Sequence, residues 1–168
     1  MTVSIYTASV PLLKQMLEAL SKNLGKAAAN AAERKIDPSI FVSARLAPDM
    51  FALARQVQVA TDMSKGGVAR LAGVEIPKFE DTETTLEELQ ARIAKTVAFM
   101  EGVPASAIEG SDAKAISFKA GPREMNFTGA DYLLGWVIPN VMFHVTTAYD
   151  ILRHNGVPLA KRDFIGGV

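Results

Sequence analysis

Apolar residues recur every three or four positions in four long segments of the chain, and polar residues fill the positions between them. This spacing places the apolar side chains of each segment on one face of a helix. Each helix can bury that face against the other three. We therefore predict an all-α four-helix bundle in a single domain, residues 1–168, with helices from Ser4 to about Ala32, from Pro48, from Thr85, and from Thr128 to Gly156.

Capping signals mark the ends of two of these helices. Thr85 with Glu88, and Thr128 with Asp131, place a hydroxyl and a carboxylate three residues apart, as in a capping box. Gly156 suits the left-handed residue that follows a helix. Because both of its ends are marked, the last helix is the best-delimited element of the chain.

A small β-hairpin is predicted immediately before the last helix. Two short segments with strand-like composition, Ala115–Lys119 and Glu124–Thr128, flank a turn that contains Gly121 and a proline. The hairpin carries Phe118 and Phe127. These rings can cap either the core or the mouth of a pocket.

Four charged residues of the third helix lie outside its apolar stripe: Glu87, Glu88, Arg92 and Lys95. Side chains opposite the apolar face of an amphipathic helix normally face water. We therefore expect them to form a solvated face and not a catalytic carboxylate pair.

The inner face of the last helix carries two polar residues, Asn140 and His144, one turn apart among apolar neighbours. A buried polar group without a partner costs about 1–3 kcal/mol, so both side chains need partners. His144 is a core histidine bonded to a neighbouring helix, a ligand or catalytic histidine at the floor of a pocket, or an exposed residue. Pro139 removes an amide donor inside the helix and should bend it just before these residues.

Composition excludes several classes of function. The net formal charge is zero, which gives no electrostatic basis for binding nucleic acid or an anionic membrane. Cysteine is absent, which excludes disulfides, thiolate metal sites and cysteine nucleophiles. The N-terminus lacks the regions of a signal peptide, and no apolar run reaches the roughly 20 residues that span a bilayer. We therefore expect a cytoplasmic protein that binds neither nucleic acid nor membrane.

Three stretches of the chain resemble those of an uncharacterised bacterial family of domains of unknown function. They are LAPDMFALARQVQVATD, PNVMFHVTTAYDILRHNGV and KRDF. That family belongs to the DinB/YfiT-like metalloenzyme superfamily, and the resemblance covers nearly the whole chain. It implies a DinB-like up-down-down-up bundle with a long crossover, and a homodimer.

The resemblance also implies a metal site and shows where this chain departs from it. Members of the superfamily typically bind a divalent metal through three histidines, one on the second helix and two on the last. These positions correspond here to Gln56, Asn140 and His144, and amide oxygens are weak ligands for zinc or nickel. We expect no metal cofactor. The alternative is a divalent ion (Zn or Ni) held by these three residues, which Asp62 could complete only if the backbone brings it near.

Three functions remain open at this point. The first, which we favour, is a small-molecule-binding protein with a degenerate metal site, whose pocket is formed by His144, Asn140, Gln56, Trp136, Tyr149 or Phe143. The second is a metal-dependent hydrolase or thiol transferase-like enzyme in which His144 is the general base. The third is a non-catalytic dimeric structural or interaction protein in which His144 is a core hydrogen-bonding residue.

Overall fold

The structure is a computed structural model, and it describes residues 3–166. Within these residues, eight α-helices and one hairpin follow each other: α1 (Ile5–Arg34), α2 (Ser39–Ser43), α3 (Leu53–Ala72), α4 (Leu86–Gly102), α5 (Ala105–Ile108), β1 (Ala115–Ala120), β2 (Arg123–Thr128), α6 (Gly129–Tyr132), α7 (Ile138–His154) and α8 (Lys161–Ile165). Within the described residues, no helix combines the length and the apolar character that crossing a membrane requires.

The four long helices, α1, α3, α4 and α7, surround one hydrophobic core. Helices α1 and α3 lie on one diagonal of the bundle, and each packs against both α4 and α7. Each of these four helices contributes fully buried side chains to the core, among them Leu17, Leu53, Leu89 and Val141. The prediction of an all-α up-down-down-up bundle with a hairpin before the last helix is confirmed.

Side-chain caps determine where α1 and α4 begin. Ser4 and Thr7 form a capping box at the start of α1, and Thr85 and Glu88 form the predicted one at the start of α4. In each box, one hydroxyl and one side chain three residues later bond two backbone N–H groups that the helix leaves without partners. The local sequence therefore specifies both helix starts.

Helix α3 begins at Leu53, so the predicted start at Pro48 is wrong by five residues. Pro48 lies instead in a separate turn, in which the Met50 N–H donates to the Ala47 carbonyl at 3.0 Å. The fixed φ of proline suits an isolated turn as well as a first helical turn. The extra loop residues place the Phe51 carbonyl beside the first turn of α3.

The predicted hairpin is present, with β1 and β2 antiparallel and in register from Ala115–Thr128 to Ala120–Arg123. On one side, Phe118 and Phe127 stack with ring centroids 6.1 Å apart. Both also contact Tyr132 in the first turn of the last helix. The hairpin therefore caps the end of the core and does not form the mouth of a pocket at His144.

Gly129 joins β2 to the last helix at a very close backbone contact. A Cβ atom at this position would lie 1.9 Å from the carbonyl oxygen of Ser111, in the short 3-10 turn Ser111–Ala113. That carbonyl also accepts the Lys114 N–H at 3.0 Å, which holds the turn in place. Only glycine fits at this junction.

Helices α6 and α7 are joined by one wide turn and together form the predicted last helix of the bundle. Between Leu133 and Val137 the backbone forms a π turn, in which the Ile138 N–H donates to the Leu133 carbonyl five residues earlier. Pro139 follows directly, in the first turn of α7. A proline lacks an N–H and clashes with the preceding turn, and a π turn relieves that conflict without ending the helix.

The crossover from α3 to α4, residues 73–85, is held by Arg92, whose side chain is 2% exposed. Its guanidinium pairs with Asp62 at 2.8 Å, with Asp81 at 3.0 Å and with Glu83 at 3.0 Å. The expectation that Arg92 is solvated is therefore wrong, because the crossover covers this side of α4 with carboxylates. Arg92, on α4, therefore holds the crossover against α4 and also contacts α3 through Asp62.

Candidate functional site

Helices α3 and α7 bring Gln56 and His144 into direct contact. Nδ1 of His144 lies 2.7 Å from Oε1 of Gln56, and Nε2 of Gln56 donates to the Phe51 carbonyl at 3.1 Å. Since the amide nitrogen of Gln56 is the donor to Phe51, its oxygen is the acceptor from His144. The neutral imidazole therefore carries its proton on Nδ1, and its Nε2 has a lone pair available.

The Nε2 atom of His144 is not fully enclosed, although the residue is buried. The residue is 8% exposed, and no hydrogen bond within residues 3–166 reaches this atom. The enclosed side-chain atoms without a partner belong to Asn23 and Ser111, so Nε2 is not among them. The site thus consists of a partly accessible hydrogen-bond acceptor on a ring that Gln56 orients.

The electrostatic surroundings keep His144 uncharged. Burial lowers its pKa from the ordinary histidine value of 6.5, and the nearby Arg55 guanidinium lowers the pKa further. Both effects disfavour the imidazolium, one by removing water and the other by repulsion between like charges. At neutral pH the side chain is therefore a neutral acceptor.

We expect His144 to titrate below pH 6.5, as followed by its imidazole 15N resonances in a His154→Gln background that leaves one histidine to observe. Substituting Arg55→Gln should raise the pKa of His144 only part of the way, because burial is the larger cause. A folded pKa below the unfolded value means that the contribution of His144 to stability is complete above pH 6.5 and is lost as the pH falls through the folded pKa. Titration at 6.5, with no response to Arg55→Gln, would contradict this assignment.

One exposed aromatic ring contacts the histidine, and a second belongs to the residue that Gln56 binds. The Phe143 ring lies edge-on to the imidazole, with ring centroids 5.2 Å apart, and Phe51 supplies the carbonyl that Gln56 binds. Their exposed fractions are 56% for Phe143 and 54% for Phe51. Apolar surface beside an oriented polar atom is the combination that small-molecule sites use.

The other predicted pocket residues contact different parts of the bundle. Asn140 donates its amide to the Trp136 carbonyl at 2.7 Å, within its own helix. Trp136 packs on Phe127 of the hairpin, and Tyr149 packs on Phe164 of α8 with ring centroids 6.0 Å apart. Of the predicted set, the structure brings Gln56 and Phe143 against His144. Asn140, one turn before His144, bonds within its own helix, and Trp136 and Tyr149 have the aromatic partners given above.

The side chains around His144 do not fit a transition metal. Over residues 3–166, no three His, Cys, Asp or Glu side chains are grouped as metal ligands. The Gln56 oxygen is taken up by the Nδ1 proton, and Asp62 pairs with Lys65 and Arg92 instead of turning toward the histidine. One imidazole without a carboxylate or thiolate is a poor site for zinc or nickel. Gln56, Asn140 and His144, which correspond to the three histidines of the superfamily, are therefore not arranged as metal ligands.

Arg55 is a site residue that the sequence analysis missed. Arg55 pairs with Asp81 of the crossover and donates to Oε1 of Gln58 at 3.3 Å. Because Asp81 also pairs with Arg92, the charge beside His144 belongs to a larger network. Its cations and carboxylates are equal in number: Arg55, Lys65, Arg92, Asp62, Asp81 and Glu83. The acidic residues of the crossover were the sequence signal that could have indicated Arg55, because carboxylates packed against a helix favour cations on that helix.

Comparisons with known proteins agree with this architecture. Residues 5–165 match the family described as Domain of unknown function (DUF1993). A crystal structure of a DinB family member from Shewanella denitrificans shares 41% sequence identity and a TM-score of 0.89, over 97% of this chain and 92% of that chain. No curated protein matches the sequence. The chain therefore belongs to the DUF1993 family and has the DinB-like bundle that its sequence resembles.

Proposed function

We propose that the chain acts as one metal-independent DinB-like domain that binds a small molecule at His144. The observation that carries this proposal is the Nε2 atom of a neutral histidine, which has no hydrogen-bond partner within residues 3–166 and is not fully enclosed. Gln56 holds the imidazole through Nδ1, so the acceptor is oriented before any ligand arrives. Preorganisation of this kind lowers the entropic cost of binding.

The surroundings of Nε2 favour a particular class of ligand. Phe143 offers exposed apolar surface against the imidazole, and the exposed Phe51 ring lies near Arg55 at the start of α3. The charge of Arg55 is compensated by Asp81. We therefore expect an uncharged ligand with an apolar ring or chain and one hydroxyl or N–H donor, which would bond to Nε2 while its apolar part covers the phenylalanines.

Phenol is the simplest probe with these properties, and toluene is its matched control without the hydroxyl. Millimolar phenol should shift the Nε2 resonance of His144 and saturate, because the hydroxyl donates to that atom. Toluene should leave the resonance in place. Binding should be lost in His144→Phe and retained in His154→Gln, because His154 lies at the exposed end of α7. An unshifted Nε2 resonance, or equal effects of phenol and toluene, would refute the proposal.

The enzyme hypothesis depends on the same nitrogen. A neutral imidazole with an accessible lone pair can act as a general base. A hydrolase or thiol transferase-like reaction would need a substrate bound at Nε2 before proton transfer. The phenol test therefore precedes any search for activity.

Self-association is the second candidate function, and the large exposed fractions of Phe51 and Phe143 favour it. Aromatic residues are enriched in protein interfaces. In the homodimer that the family resemblance implies, both rings would be covered and His144 would be a core hydrogen-bonding residue. Light scattering distinguishes the two cases: a mass of two chains that falls to one in Phe143→Ser supports the dimer, and a monomer leaves this surface for a ligand.

A further inference from the structure

A cavity of about 530 Å³ lies between α1 and the C-terminal helix α8. It is separate from the contact between α3 and α7 that holds His144. Its lining residues are Lys22, Asn23, Lys26, Arg162, Asp163, Ile165 and Gly166. Helix α8 covers the cavity loosely, since none of its five residues is buried.

Asn23 borders this cavity and is the least well explained residue of the core. It is 1% exposed and lies on the inner face of α1 between Leu20 and Leu24, which are fully buried. Neither its Nδ2 nor its Oδ1 finds a hydrogen-bond partner within the part of the chain that the structure describes. A buried amide with both groups unsatisfied destabilises the fold, and a leucine would pack there at no such cost. The position therefore favours a ligand that accepts a hydrogen bond from Nδ2 of Asn23.

The charges around the cavity indicate what that ligand is. Three cations line it against one carboxylate, and Asp163 already pairs with Lys26 at 2.6 Å. Lys22 and Arg162 form no ion pair within residues 3–166. A carboxylate accepts hydrogen bonds from ammonium, guanidinium and amide N–H groups alike, whereas Ile165 offers apolar surface.

We propose that the cavity between α1 and α8 binds a small amphipathic carboxylate. The carboxylate accepts hydrogen bonds from Nδ2 of Asn23 and from Lys22 or Arg162, and the apolar part lies along Ile165. The ligand reaches the enclosed amide by a small outward shift of α8. Two contacts hold α8 on α1 and oppose this shift: the Lys26–Asp163 pair and the bond from Nε2 of Gln15 to the Ile165 carbonyl at 2.8 Å.

Benzoate is a suitable probe, and benzyl alcohol is its uncharged counterpart. Benzoate should shift the side-chain amide resonances of Asn23, which are assigned by their loss in Asn23→Leu, and the shift should saturate. Benzyl alcohol should bind at least about tenfold more weakly, since it lacks the charge-assisted bonds. Arg162→Gln should weaken benzoate binding by about the same factor, and Lys161→Gln, on the same helix but outside the cavity, should not.

Asn23→Leu separates a ligand-binding role from a structural one. If Asn23 is kept for binding, the variant abolishes benzoate binding and raises the urea midpoint of the unliganded protein, because the unsatisfied amide is gone. A lowered midpoint would show that Asn23 supports the fold and would overturn the proposal. Unshifted Asn23 resonances with millimolar benzoate would overturn it as well, and neither result bears on phenol binding at His144.

Discussion

Replacing Arg92 with alanine should lower the free energy of unfolding by about 3 kcal/mol, because it removes the buried centre of the ion network and leaves carboxylates behind. The partners Asp62 and Asp81 are 34% and 40% exposed, so water recovers part of the loss. Glu83 is only 12% exposed and would keep a single side-chain partner, Gln58. Urea unfolding monitored by circular dichroism measures the change.

Lys95→Ala is the matched control for this substitution. Lys95 is a cation of the same helix, but it is exposed, and its Nζ lies over the face of Phe79, 4.1 Å from the ring centroid. Its removal should cost less than about 1 kcal/mol. If the two variants lost equal stability, the crossover would not depend on Arg92.

The pH dependence of stability gives a second measure of the same network. Burial alone raises the pKa of Glu83, but hydrogen bonds from Arg92 and Gln58 outweigh it and hold the pKa below the ordinary 4.5. Because the folded pKa is lowered, the contribution of Glu83 is present above pH 4.5 and is lost as the pH falls below that value. In Arg92→Ala this acid-dependent loss should be smaller than in the native chain.

Gly129→Ala should destabilise the protein by about 3 kcal/mol or more, because the added Cβ would lie 1.9 Å from the Ser111 carbonyl oxygen. The obstacle is backbone, and no side-chain rotation relieves it. The 3-10 turn would have to move, together with the hydrogen bond that Lys114 makes to the same carbonyl. The urea midpoint should fall accordingly, with the hairpin and the last helix the first to lose order in hydrogen exchange.

Gly135→Ala, six residues further along the same helix, separates this clash from a general effect of alanine. Apart from its chain neighbours and the backbone of its own helix, no atom of the described residues lies within 4 Å of a Cβ built at Gly135. Alanine is also the better helix former, by up to about 1 kcal/mol. We therefore expect unchanged or higher stability for Gly135→Ala. A similar loss in both variants would mean that the junction at Gly129 is less tight than its geometry indicates.

The sequence predicted the elements whose signals are local. Capping at Thr85 depends on a residue three positions away, and the hairpin depends on a turn between two strand-like runs, so both were confirmed. The fold class followed because four apolar stripes of helical period have few ways to bury themselves. The start of α3 was misplaced because proline suits an isolated turn as well as a helix start, and only tertiary contacts decide between them.

The structural features that the sequence did not predict depend on contacts between segments that are distant in sequence. Helical periodicity separates the apolar face of α4 from its polar face, but it does not reveal that an acidic crossover covers Arg92 on the polar side. The site shows the same limit. Sequence placed Gln56 and His144 as candidate partners, and the Phe51 carbonyl and the charge of Arg55 became visible only once α3 and its preceding loop were in place.

The π turn before Pro139 sets how the two halves of the last helix are rotated relative to each other. Each residue of an α-helix turns the next by about 100°, so a single added residue rotates everything beyond it by that angle unless a wide turn absorbs it. Here the wide turn lets Tyr132 face the aromatic hairpin while His144 faces Gln56. Removing one residue from the π turn should therefore rotate the hairpin half by about 100° relative to the histidine, so that Tyr132 and His144 could no longer both keep these partners.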